Sequence, residues 1–541
     1  MKNWRINLIL IIISLFGAVV IGRLFYLQIT KGDFYRALAQ GQQNVLFTFT
    51  QERGEIFFQG GQALATNIKG EYLFVLPKEI IDKEETAVKV AEIIRIDKEL
   101  LLEKFEKGSF LEPIKFDPSK EEKEAIEALN LPGFYFKEGI FREYPQGTMA
   151  AQTIGFLGGE GAGQYGIEGY HDSTLQSIGG NGTGKEGKII LTLNYNIQFM
   201  AERLLEEYRE IFKYKSGQII VAEPNSGKIL ALAAYPTFDP NRYFESGDFQ
   251  IFQNPAVQQF FEPGSIFKPI TMAGALDQNK VTPQTTYVDE GNLKIGGYTI
   301  YNFNQRSWGQ RTMTEVLEMS INTGAVFAER SLGSEKFLDY VQRFGFFRPT
   351  GIDLQGEVSS ENKELKKGYE INFATASFGQ GIEITPIQMV RAFCAIANGG
   401  KMVRPYLVEQ IVDGDEVREI EPEISSDTVI SSTTVSKITA MLVSVVENGS
   451  GRRAKVPGYY IAGKTGTAQM PFSALGIQQK GYSDETWQSF IGFGPAFNPR
   501  FLIFVKLDRP ETTTSEISAA PIFNELAKYI IDYLEIPPDY D

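Results

Sequence analysis

The sequence predicts an α+β protein with three parts: a membrane anchor, a mixed domain, and a larger domain built on one antiparallel sheet. The chain has 541 residues, too many for one ordinary domain at about 150 residues each. Strand-like segments stand at both ends of the region from about 190 to 535, and a long helical stretch lies between them. One antiparallel sheet with helices around it accounts for that order.

The composition argues against several classes of function. The 53 lysine and arginine residues are outnumbered by 67 aspartate and glutamate residues, so a nucleic-acid surface has little electrostatic support. The single cysteine, Cys394, excludes an intrachain disulfide and every multi-cysteine zinc site. The single histidine, His171, excludes a histidine-rich metal site, and a Ser-His-Asp triad would depend on it alone. We therefore expect no metal, no cofactor and no nucleic acid partner.

The first 27 residues predict an uncleaved membrane anchor. An apolar stretch covers residues 6–22 and resumes at 24–27. Residues 6–22 alone would span about 25 Å as a helix, so the second stretch is needed to cross a hydrocarbon core of about 30 Å. A cleaved signal peptide is the alternative, but no small-x-small site follows the apolar run. Lys2 and Arg5 precede the stretch, which keeps the short N-terminus in the cytoplasm and places the rest outside.

Residues 28–185 predict a mixed α+β domain in which no catalytic cluster is recognised. Ser119-x-x-Glu122 is a capping box that opens one short helix, and FYFKEGIF is strand-like. The stretch GGNGTGKEGK, from 179 to 188, reads as a linker and comes close to a phosphate-binding loop. However, Glu186 stands where that loop needs Ser or Thr, and the following KIILTL is strand-like rather than helical. We therefore reject a nucleotide site.

Residues 186–541 predict the sheet domain. An amphipathic helix opens it, with apolar positions at helical spacing from Ile197 to Ile211. GQIIVAE and KILALAA flank a turn at 224–227 and predict a hairpin. YYIAGKTGTA, TWQSFIGFG and RFLIFVKL predict three more strands, which makes five. A terminal helix follows, with apolar positions at Ile522, Leu526, Ile530 and Leu534.

Ser265 and Lys268 are the first candidate catalytic pair. They stand three residues apart at the start of an apolar helix in EPGSIFKPITMAGAL, so both side chains lie on one face. Because no usable histidine is present, Lys268 is the nearest candidate base for the hydroxyl. Its pKa would have to fall by about three units from about 10.4, and burial or a second cation such as Lys464 would lower it. A second Ser-x-x-Lys, from Ser360 to Lys363, lies in a polar stretch and is interpreted as surface.

Two further motifs are weak when taken alone. Lys464-Thr465-Gly466-Thr467 continues an apolar strand, where glycine lets a ligand backbone approach closely. The plain alternative is a strand end with a flexible turn. Ser320-Ile321-Asn322 is a triplet that also occurs by chance.

The three motifs together, in this order, are the signature of penicillin-binding proteins and class A β-lactamases. The chain resembles the class B penicillin-binding proteins over nearly its full length. Further matches are Arg53-Gly54-x-Ile56, Gly166-Ile167-Glu168, Asp239-Pro240-Asn241 and Phe378-Gly379-Gln380-Gly381. Two segments depart from the family pattern: Phe57-Phe58-Gln59-Gly60-Gly61, which affects the local packing, and Thr192-Leu193-Asn194, where asparagine can still cap a helix.

The resemblance implies a fold and a mechanism. Residues 28–185 would form an elongated pedestal (dimerisation-like) domain, and 186–541 a transpeptidase domain. Ser265 would attack the penultimate D-Ala carbonyl of a stem peptide, or a β-lactam, to give an acyl-enzyme that a neighbouring stem's amine resolves. The remaining implied roles are a base (Lys268), a proton relay (Ser320), a hydrogen bond to the donor backbone (Asn322), binding of the terminal carboxylate (Lys464, Thr465), close substrate approach (Gly466), and an oxyanion hole from the N–H groups of Ser265 and Thr467.

The resemblance also implies a cellular setting. The motifs at 320–324, 378–381 and 488–493 look more like the division-type than the elongation-type enzymes. A SEDS-type glycosyltransferase and other division proteins in the membrane would be partners, and the catalytic domain would be extracytoplasmic on a single-pass anchor. Three alternatives stay open: a D,D-carboxypeptidase or β-lactamase, an elongation-type transpeptidase, and a non-catalytic penicillin-binding sensor or scaffold.

Overall fold

The computed structural model describes residues 14–17, 52–107, 112–116, 118–158, 161–179 and 187–540. Within these ranges, no helix is both long enough and apolar enough to cross a membrane. The predicted anchor at 1–27 lies outside the described residues except for positions 14–17, and so does the 180–186 part of the predicted linker. Strand β7, given below, begins at Lys188, which agrees with the strand expected after the rejected phosphate loop.

The described residues from 52 to 179, here called the pedestal, are organised around one long pair of antiparallel strands, β2 and β4. Strand β2 pairs antiparallel with β4 from Thr66 to Val75, and with β3 on its other side. Helices α1 and α2 cover this sheet through a core that includes Val90, Leu101 and Leu73. The elements are β1 (Glu55–Phe57), β2 (Ala63–Val75), α1 (Lys83–Ile94), α2 (Lys98–Lys107), β3 (Glu112–Phe116), α3 (Lys120–Ala128), β4 (Phe134–Glu143), α4 (Ala151–Ile154), β5 (Phe156–Leu157), β6 (Gly163–Gln164), α5 (Gly166–Tyr170) and α6 (Asp172–Ile178).

Residues 187–540 form the second region, which carries the three motifs. Its first half contains β7 (Lys188–Leu191), α7 (Tyr195–Phe212), β8 (Ser216–Ala222), β9 (Ile229–Tyr235), α8 (Pro255–Gln258), α9 (Lys268–Asp277), β10 (Thr286–Asp289), β11 (Asn292–Ile295), β12 (Tyr298–Tyr301), β13 (Gly309–Thr312), α10 (Met313–Glu318), α11 (Asn322–Leu332) and α12 (Ser334–Arg343). Its second half contains α13 (Lys363–Lys366), α14 (Glu370–Ala376), α15 (Pro386–Ala397), β14 (Lys401–Val403), β15 (Val408–Asp413), β16 (Glu416–Glu419), β17 (Ile424–Thr428), α16 (Ser432–Asn448), β18 (Ala462–Pro471), β19 (Tyr482–Gly494), β20 (Phe501–Asp508) and α17 (Ala519–Tyr533).

A five-stranded antiparallel sheet lies at the centre of this region, in the order β18, β19, β20, β8, β9. Both of its faces are buried, because successive side chains of a strand point to opposite faces. On β20, Ile503 and Val505 join the core formed with α7 and α17, whereas Leu502 and Phe504 join the core formed with α9, α15 and α16. Helices from the middle of this region, α9, α15 and α16, therefore cover one face of the sheet. The first and last helices of the region, α7 and α17, cover the other.

The local sequence signals behave as predicted, with two exceptions. Ile211 of α7 is 60% exposed, because Phe212, seven residues after Leu205, continues the buried row in its place. The Ser119 hydroxyl accepts a hydrogen bond from the Glu122 N–H in a complete capping box. The Asn194 side chain caps α7 by accepting from two backbone N–H groups. The terminal helix is shorter than predicted: α17 ends at Tyr533, and Leu534 is its partly exposed C-cap residue. The backbone leaves the helical conformation after Tyr533, so the last apolar position predicted for the helix, Leu534, lies just outside it. Periodicity of apolar residues cannot detect such a helix end.

The pedestal sheet continues into the second region across the predicted boundary at 185/186, because β1 pairs with β2 on one side and with β7 on the other. Strand β1 of the pedestal pairs parallel with β7, and β7 pairs antiparallel with β15. A buried aromatic contact strengthens this junction, since Phe58 packs edge to face on Tyr195 of α7 at 5.3 Å between ring centroids. The residues that depart from the family pattern thus supply their own packing here.

A buried charge cluster lies beside this junction and connects three of the quoted family motifs. Glu168 is fully buried and accepts from Arg53 Nε at 2.8 Å and from Arg142 Nε at 2.8 Å. The Tyr144 hydroxyl donates to the same carboxylate at 3.2 Å, and the backbone of Tyr144 makes two hydrogen bonds with the Asn241 amide. The cluster therefore connects the pedestal to the second region through a chain of hydrogen bonds.

We expect Glu168→Gln to destabilise the protein by about 3–5 kcal/mol, because this carboxylate pairs with two buried guanidinium groups, of which Arg53 keeps only the partly exposed Asp172 as a second partner. Burial alone would raise the pKa of Glu168, but Arg142 and Arg53 outweigh burial and hold it below its usual value. The stabilisation is thus present above the unfolded pKa of about 4.3 and is lost as the pH falls through the lower folded pKa. Urea unfolding measures the effect, with the exposed Glu361→Gln as control. A loss below about 1 kcal/mol, as for a surface pair, would contradict this account of the cluster.

Candidate active site

Ser265 lies on the 3-10 turn Gly264–Phe267, directly before α9. The backbone N–H of Lys268 donates to the carbonyl of Ser265, so the two residues are one turn apart. Lys268 is only 1% exposed, and Ser265 is half-buried. Among the described residues, the Ser265 hydroxyl makes no hydrogen bond of its own. Such contacts are often long before a substrate binds.

Two glycines let the nucleophile turn lie against strand β18. Gly264 has a φ of +57° and donates its N–H to the carbonyl of Gly379, in the Phe-Gly-Gln-Gly loop, at 2.9 Å. A Cβ on Gly466 would lie 2.6 Å from Ser489 Oγ and 2.8 Å from Ile266 Cγ2. Any side chain at position 466 would therefore push the turn that carries Ser265 away from the strand.

Ser320 brings the first and third motifs together. It lies between α10 and α11 with a φ of +56°, in the left-handed region. Lys268 Nζ donates to the Ser320 carbonyl and, at 3.2 Å, to its hydroxyl oxygen. Lys464 Nζ donates to the same hydroxyl oxygen at 2.9 Å. One serine hydroxyl thus bridges two buried amines, and its own proton can be given to a third group.

Lys464 and Thr465 lie on β18 next to this bridge. Lys464 is fully buried and also donates to the carbonyl and the hydroxyl of Thr465, at 3.1 and 3.2 Å. Two serines that the sequence reading missed extend the network: Ser450 Oγ lies 3.0 Å from Thr465 Oγ1, and Ser515 Oγ lies 3.1 Å from Thr467 Oγ1. Neither serine belongs to a spaced motif, so no sequence signal identified them.

Burial lowers the pKa of both amines. It is the main cause that lowers the pKa of Lys268 well below its usual value, and the charge of Lys464 adds to the effect. Burial also lowers the pKa of Lys464 to about 7. The first shift has the direction and the causes that the sequence predicts for an activated base. The shift of Lys464 itself is new, and it makes the second amine titratable near neutral pH.

Asn322 opens α11, two residues after Ser320. Its Nδ2 donates to the carbonyl of Tyr301 at 2.9 Å, and its backbone N–H donates to Asn302 Oδ1 at 3.0 Å. The first contact fixes which end of the amide faces the protein, so Oδ1 is the end that could accept a ligand N–H. The second Ser-x-x-Lys segment is unlike the first, since Lys363 is 81% exposed, as expected of a surface residue.

The arrangement of these side chains suits serine acyl transfer. In the ranges that the structure describes, His, Cys, Asp and Glu side chains form no group of three that could hold a metal ion. The site offers a hydroxyl one turn from a desolvated amine, a bridging serine, and a second amine beside a threonine hydroxyl. An alcohol paired with a base of lowered pKa is the arrangement of an activated nucleophile.

Comparison with known proteins agrees with this geometry. A family described as the penicillin binding protein transpeptidase domain matches residues 217–528, and one described as the penicillin-binding protein dimerisation domain matches residues 49–194. The chain belongs to the class B penicillin-binding proteins. The family resemblance stated from the three motifs is thereby confirmed, and so is the combination of a pedestal with a transpeptidase domain.

Individual class B relatives match over most of the chain. Stage V sporulation protein D of Bacillus subtilis is 32% identical over 99% of this chain and 87% of its own length. The peptidoglycan D,D-transpeptidase FtsI homolog of Mesostigma viride is 30% identical over 99% of this chain and 96% of its own length. The crystal structure of penicillin binding protein 3 from Mycobacterium tuberculosis with aztreonam has a TM-score of 0.71 and 26% identity, covering 92% of this chain and 98% of that one.

Proposed function

We propose that this chain, which is a serine-type peptidoglycan D,D-transpeptidase of the class B family, cross-links stem peptides through an acyl-enzyme on Ser265. The observation that carries the proposal is that the Ser320 hydroxyl bridges the buried amines of Lys268 and Lys464. Lys268 itself lies one turn after Ser265. Relatives named peptidoglycan D,D-transpeptidases support the choice of substrate. A relative's structure in complex with aztreonam supports binding of β-lactams, which would enter as donor mimics and, in this proposal, acylate Ser265.

In the acylation step, Ser265 Oγ attacks the carbonyl of the penultimate D-Ala and gives its proton to the neutral Lys268 amine. The backbone N–H groups of Ser265 and Thr467 hold the negative oxygen of the tetrahedral intermediate, where losing one donor typically raises the barrier by about 2.7–4 kcal/mol. Lys268 then returns the proton through Ser320 to the leaving D-Ala amine, and the peptide C–N bond breaks.

Binding and deacylation use the other side chains. Lys464 and Thr465 hold the terminal carboxylate of the donor, Asn322 accepts from its backbone, and Gly466 lets that backbone lie close to β18. The acceptor amine of a second stem then attacks the Ser265 ester. Its proton passes to Lys268 and on to the Ser265 oxygen, so that the enzyme is regenerated and one new amide joins two stems.

The test of this proposal supplies donor pentapeptide stems and acceptor stems to the full chain in detergent. Mass spectrometry of the products should find a cross-linked peptide and free D-Ala in equal amounts. Trimmed tetrapeptide alone would favour the D,D-carboxypeptidase. A stable penicillin adduct with neither product would favour the sensor or scaffold. A β-lactamase would hydrolyse penicillin with turnover.

We further propose that the enzyme acts in septal synthesis, anchored in the cytoplasmic membrane by residues 1–27 and with its catalytic domain outside. The motif similarity at 320–324 and 378–381 supports the division type, and the FtsI homolog among the relatives agrees with it. A SEDS-type glycosyltransferase would supply the strands. Depletion in cells should block septation and leave filaments. Loss of rod shape with intact septa would indicate the elongation type, and a defect restricted to spores would match the relative named for sporulation.

The pH dependence of acylation should be bell-shaped. Lys268 must be neutral to act as base, and its lowered pKa favours that form. Lys464 must be protonated to hold the donor carboxylate, and its pKa of about 7 predicts a fall in the second-order rate constant above about pH 7. At saturating donor, the falling limb should move to higher pH, because the bound carboxylate stabilises the ammonium form. Stopped-flow acylation by a chromogenic cephalosporin measures both limbs, at low and at saturating cephalosporin. A falling limb at the same pH under the two conditions would contradict this role of Lys464.

A further inference from the structure

The N-terminus of α11 is capped by a residue from a distant segment. Ile321 occupies the N-cap position and has no side-chain oxygen to accept the first backbone N–H groups. Instead, Asn302 Oδ1 accepts from the N–H of Asn322 at 3.0 Å and from the N–H of Thr323 at 3.1 Å. Asn302 is 4% exposed, so this cap is buried. A helix that carries a proposed substrate-binding residue at its first position therefore depends on Asn302.

Asp289 fixes the orientation of the Asn302 amide. Asn302 Nδ2 donates to both carboxylate oxygens of Asp289, each at 2.9 Å. Because the nitrogen is held there, only the oxygen of the amide can face α11. Asp289 is 1% exposed and also accepts from the N–H groups of Gly291 and Trp308, and from the Thr323 hydroxyl. A buried carboxylate with this many donors is expensive to disturb.

This network lies directly beside the proton relay. Ser320 immediately precedes the N-cap residue and holds a left-handed backbone conformation that is unfavourable for a serine. Such a conformation persists only when its surroundings hold it. The Asn322 side chain is bound to the carbonyl of Tyr301, the residue next to Asn302. The segment from 286 to 312 thus holds α11 in two ways. It binds the first backbone N–H groups of α11, and it binds the side chain of Asn322, the first residue of α11.

We propose that Asn302 and Asp289 are positioning residues for acyl transfer. They hold the start of α11 so that the Ser320 hydroxyl stays between the amines of Lys268 and Lys464, and so that Asn322 stays in place for the donor. The inference rests on the proposed function only in the roles that it gives to Ser320 and Asn322. Neither Asn302 nor Asp289 contacts the reacting groups.

The first test is Asn302→Ala in the full chain, measured with fluorescent penicillin. The rate constant of acylation should fall about 10²-fold, the effect of misplacing catalytic groups by about 1 Å. Noncovalent affinity for the same penicillin should change much less, because Lys464 and Thr465, which hold its carboxylate, remain. The matched control is Asn194→Ala, since Asn194 Oδ1 likewise accepts from two N–H groups, at 3.1 and 3.1 Å, at the start of α7. The control should lose a similar amount of thermal stability and acylate at the wild-type rate.

Exchanging the two side chains separates positioning from general damage. Asn302→Asp alone places a second carboxylate against Asp289 and should acylate slowly. Adding Asp289→Asn restores one amide and one carboxylate, with the carboxylate now facing the N–H groups of α11. The double variant should recover at least about tenfold in acylation rate relative to Asn302→Asp, as expected when two residues act as one unit. Failure to recover, or wild-type acylation by Asn302→Ala, would overturn the proposal.

Hydrogen exchange distinguishes this inference from the proposed function. The peptide that contains residues 316–326 should exchange faster in Asn302→Ala than in the wild type, and at the wild-type rate in Asn194→Ala. If the wild-type chain formed no penicillin adduct, the proposal of an acyl-enzyme on Ser265 would be wrong. Hydrogen exchange would still test whether Asn302 holds the start of α11. Unchanged exchange in Asn302→Ala would overturn the positioning role whatever the adduct result.

Discussion

A Ser265→Ala variant should form no covalent adduct with fluorescent penicillin, even after long incubation with an excess of the reagent. The substitution removes the hydroxyl that lies one turn before Lys268, and the alanine methyl group cannot attack a carbonyl. Ser265 is half-buried and its hydroxyl makes no hydrogen bond among the described residues, so the fold should be unaffected. Labelling on a denaturing gel measures the adduct, and the midpoint of thermal unfolding checks the fold.

The chain supplies a matched control for this experiment. Ser360 begins a second Ser-x-x-Lys sequence, but its lysine, Lys363, is 81% exposed and pairs with Glu361 on the surface at 3.4 Å. Ser360→Ala should label as strongly as the wild type. Equal labelling of Ser265→Ala would show that another residue is acylated and would remove the basis of the proposed mechanism. Labelling that survives denaturation only in the wild type and in Ser360→Ala would support it.

The candidate active site could be predicted further than the fold because its residues occur in short spaced motifs. Ser265 and Lys268 are one helical turn apart, and that spacing is visible in the sequence. Burial, the main cause of the lowered Lys268 pKa, also follows from the apolar helix that begins there. The contact of Lys268 and Lys464 with Ser320 depends on tertiary packing. We could expect that Ser320 lies with both lysines only because the three motifs, in their order, resemble those of a known family.

The network that supports the site could not be predicted. Asn302 caps a helix that begins 20 residues later in the chain, and a polar residue in a loop has no pattern that announces such a contact. Ser450 and Ser515 were missed for the same reason. In the fold, the five strand segments were predicted from their own composition, whereas the parallel pairing of β1 with β7 depends on two segments far apart in sequence. Local signals predict elements, and long-range pairing decides how they combine.

Lys268→Met should lower the rate constant of acylation by about 10²–10⁴-fold, the usual contribution of a positioned general base. Methionine keeps a long unbranched side chain in a site that is only 1% exposed, so the cavity stays filled. The lost hydrogen bonds to Ser320 are replaced by apolar contact, and Ser265 keeps its place on the turn. Noncovalent binding of penicillin should survive, because Lys464 and Thr465 remain. The exposed Lys363→Met is the matched control and should acylate at the wild-type rate.

The same variant tests whether the Lys268 amine is desolvated in the folded protein. A lysine whose folded pKa lies well below its unfolded value of about 10.4 favours unfolding at low pH, because the unfolded chain binds the extra proton. Lys268→Met removes that linkage, so its stability relative to the wild type should be greatest below the folded pKa and should decrease as the pH rises towards about 10.4. A stability difference that is constant with pH would mean that the amine is not desolvated, and a wild-type acylation rate would mean that the base lies elsewhere. Slow acylation with the predicted pH trend is expected only if the buried, deprotonated amine is the group that activates Ser265.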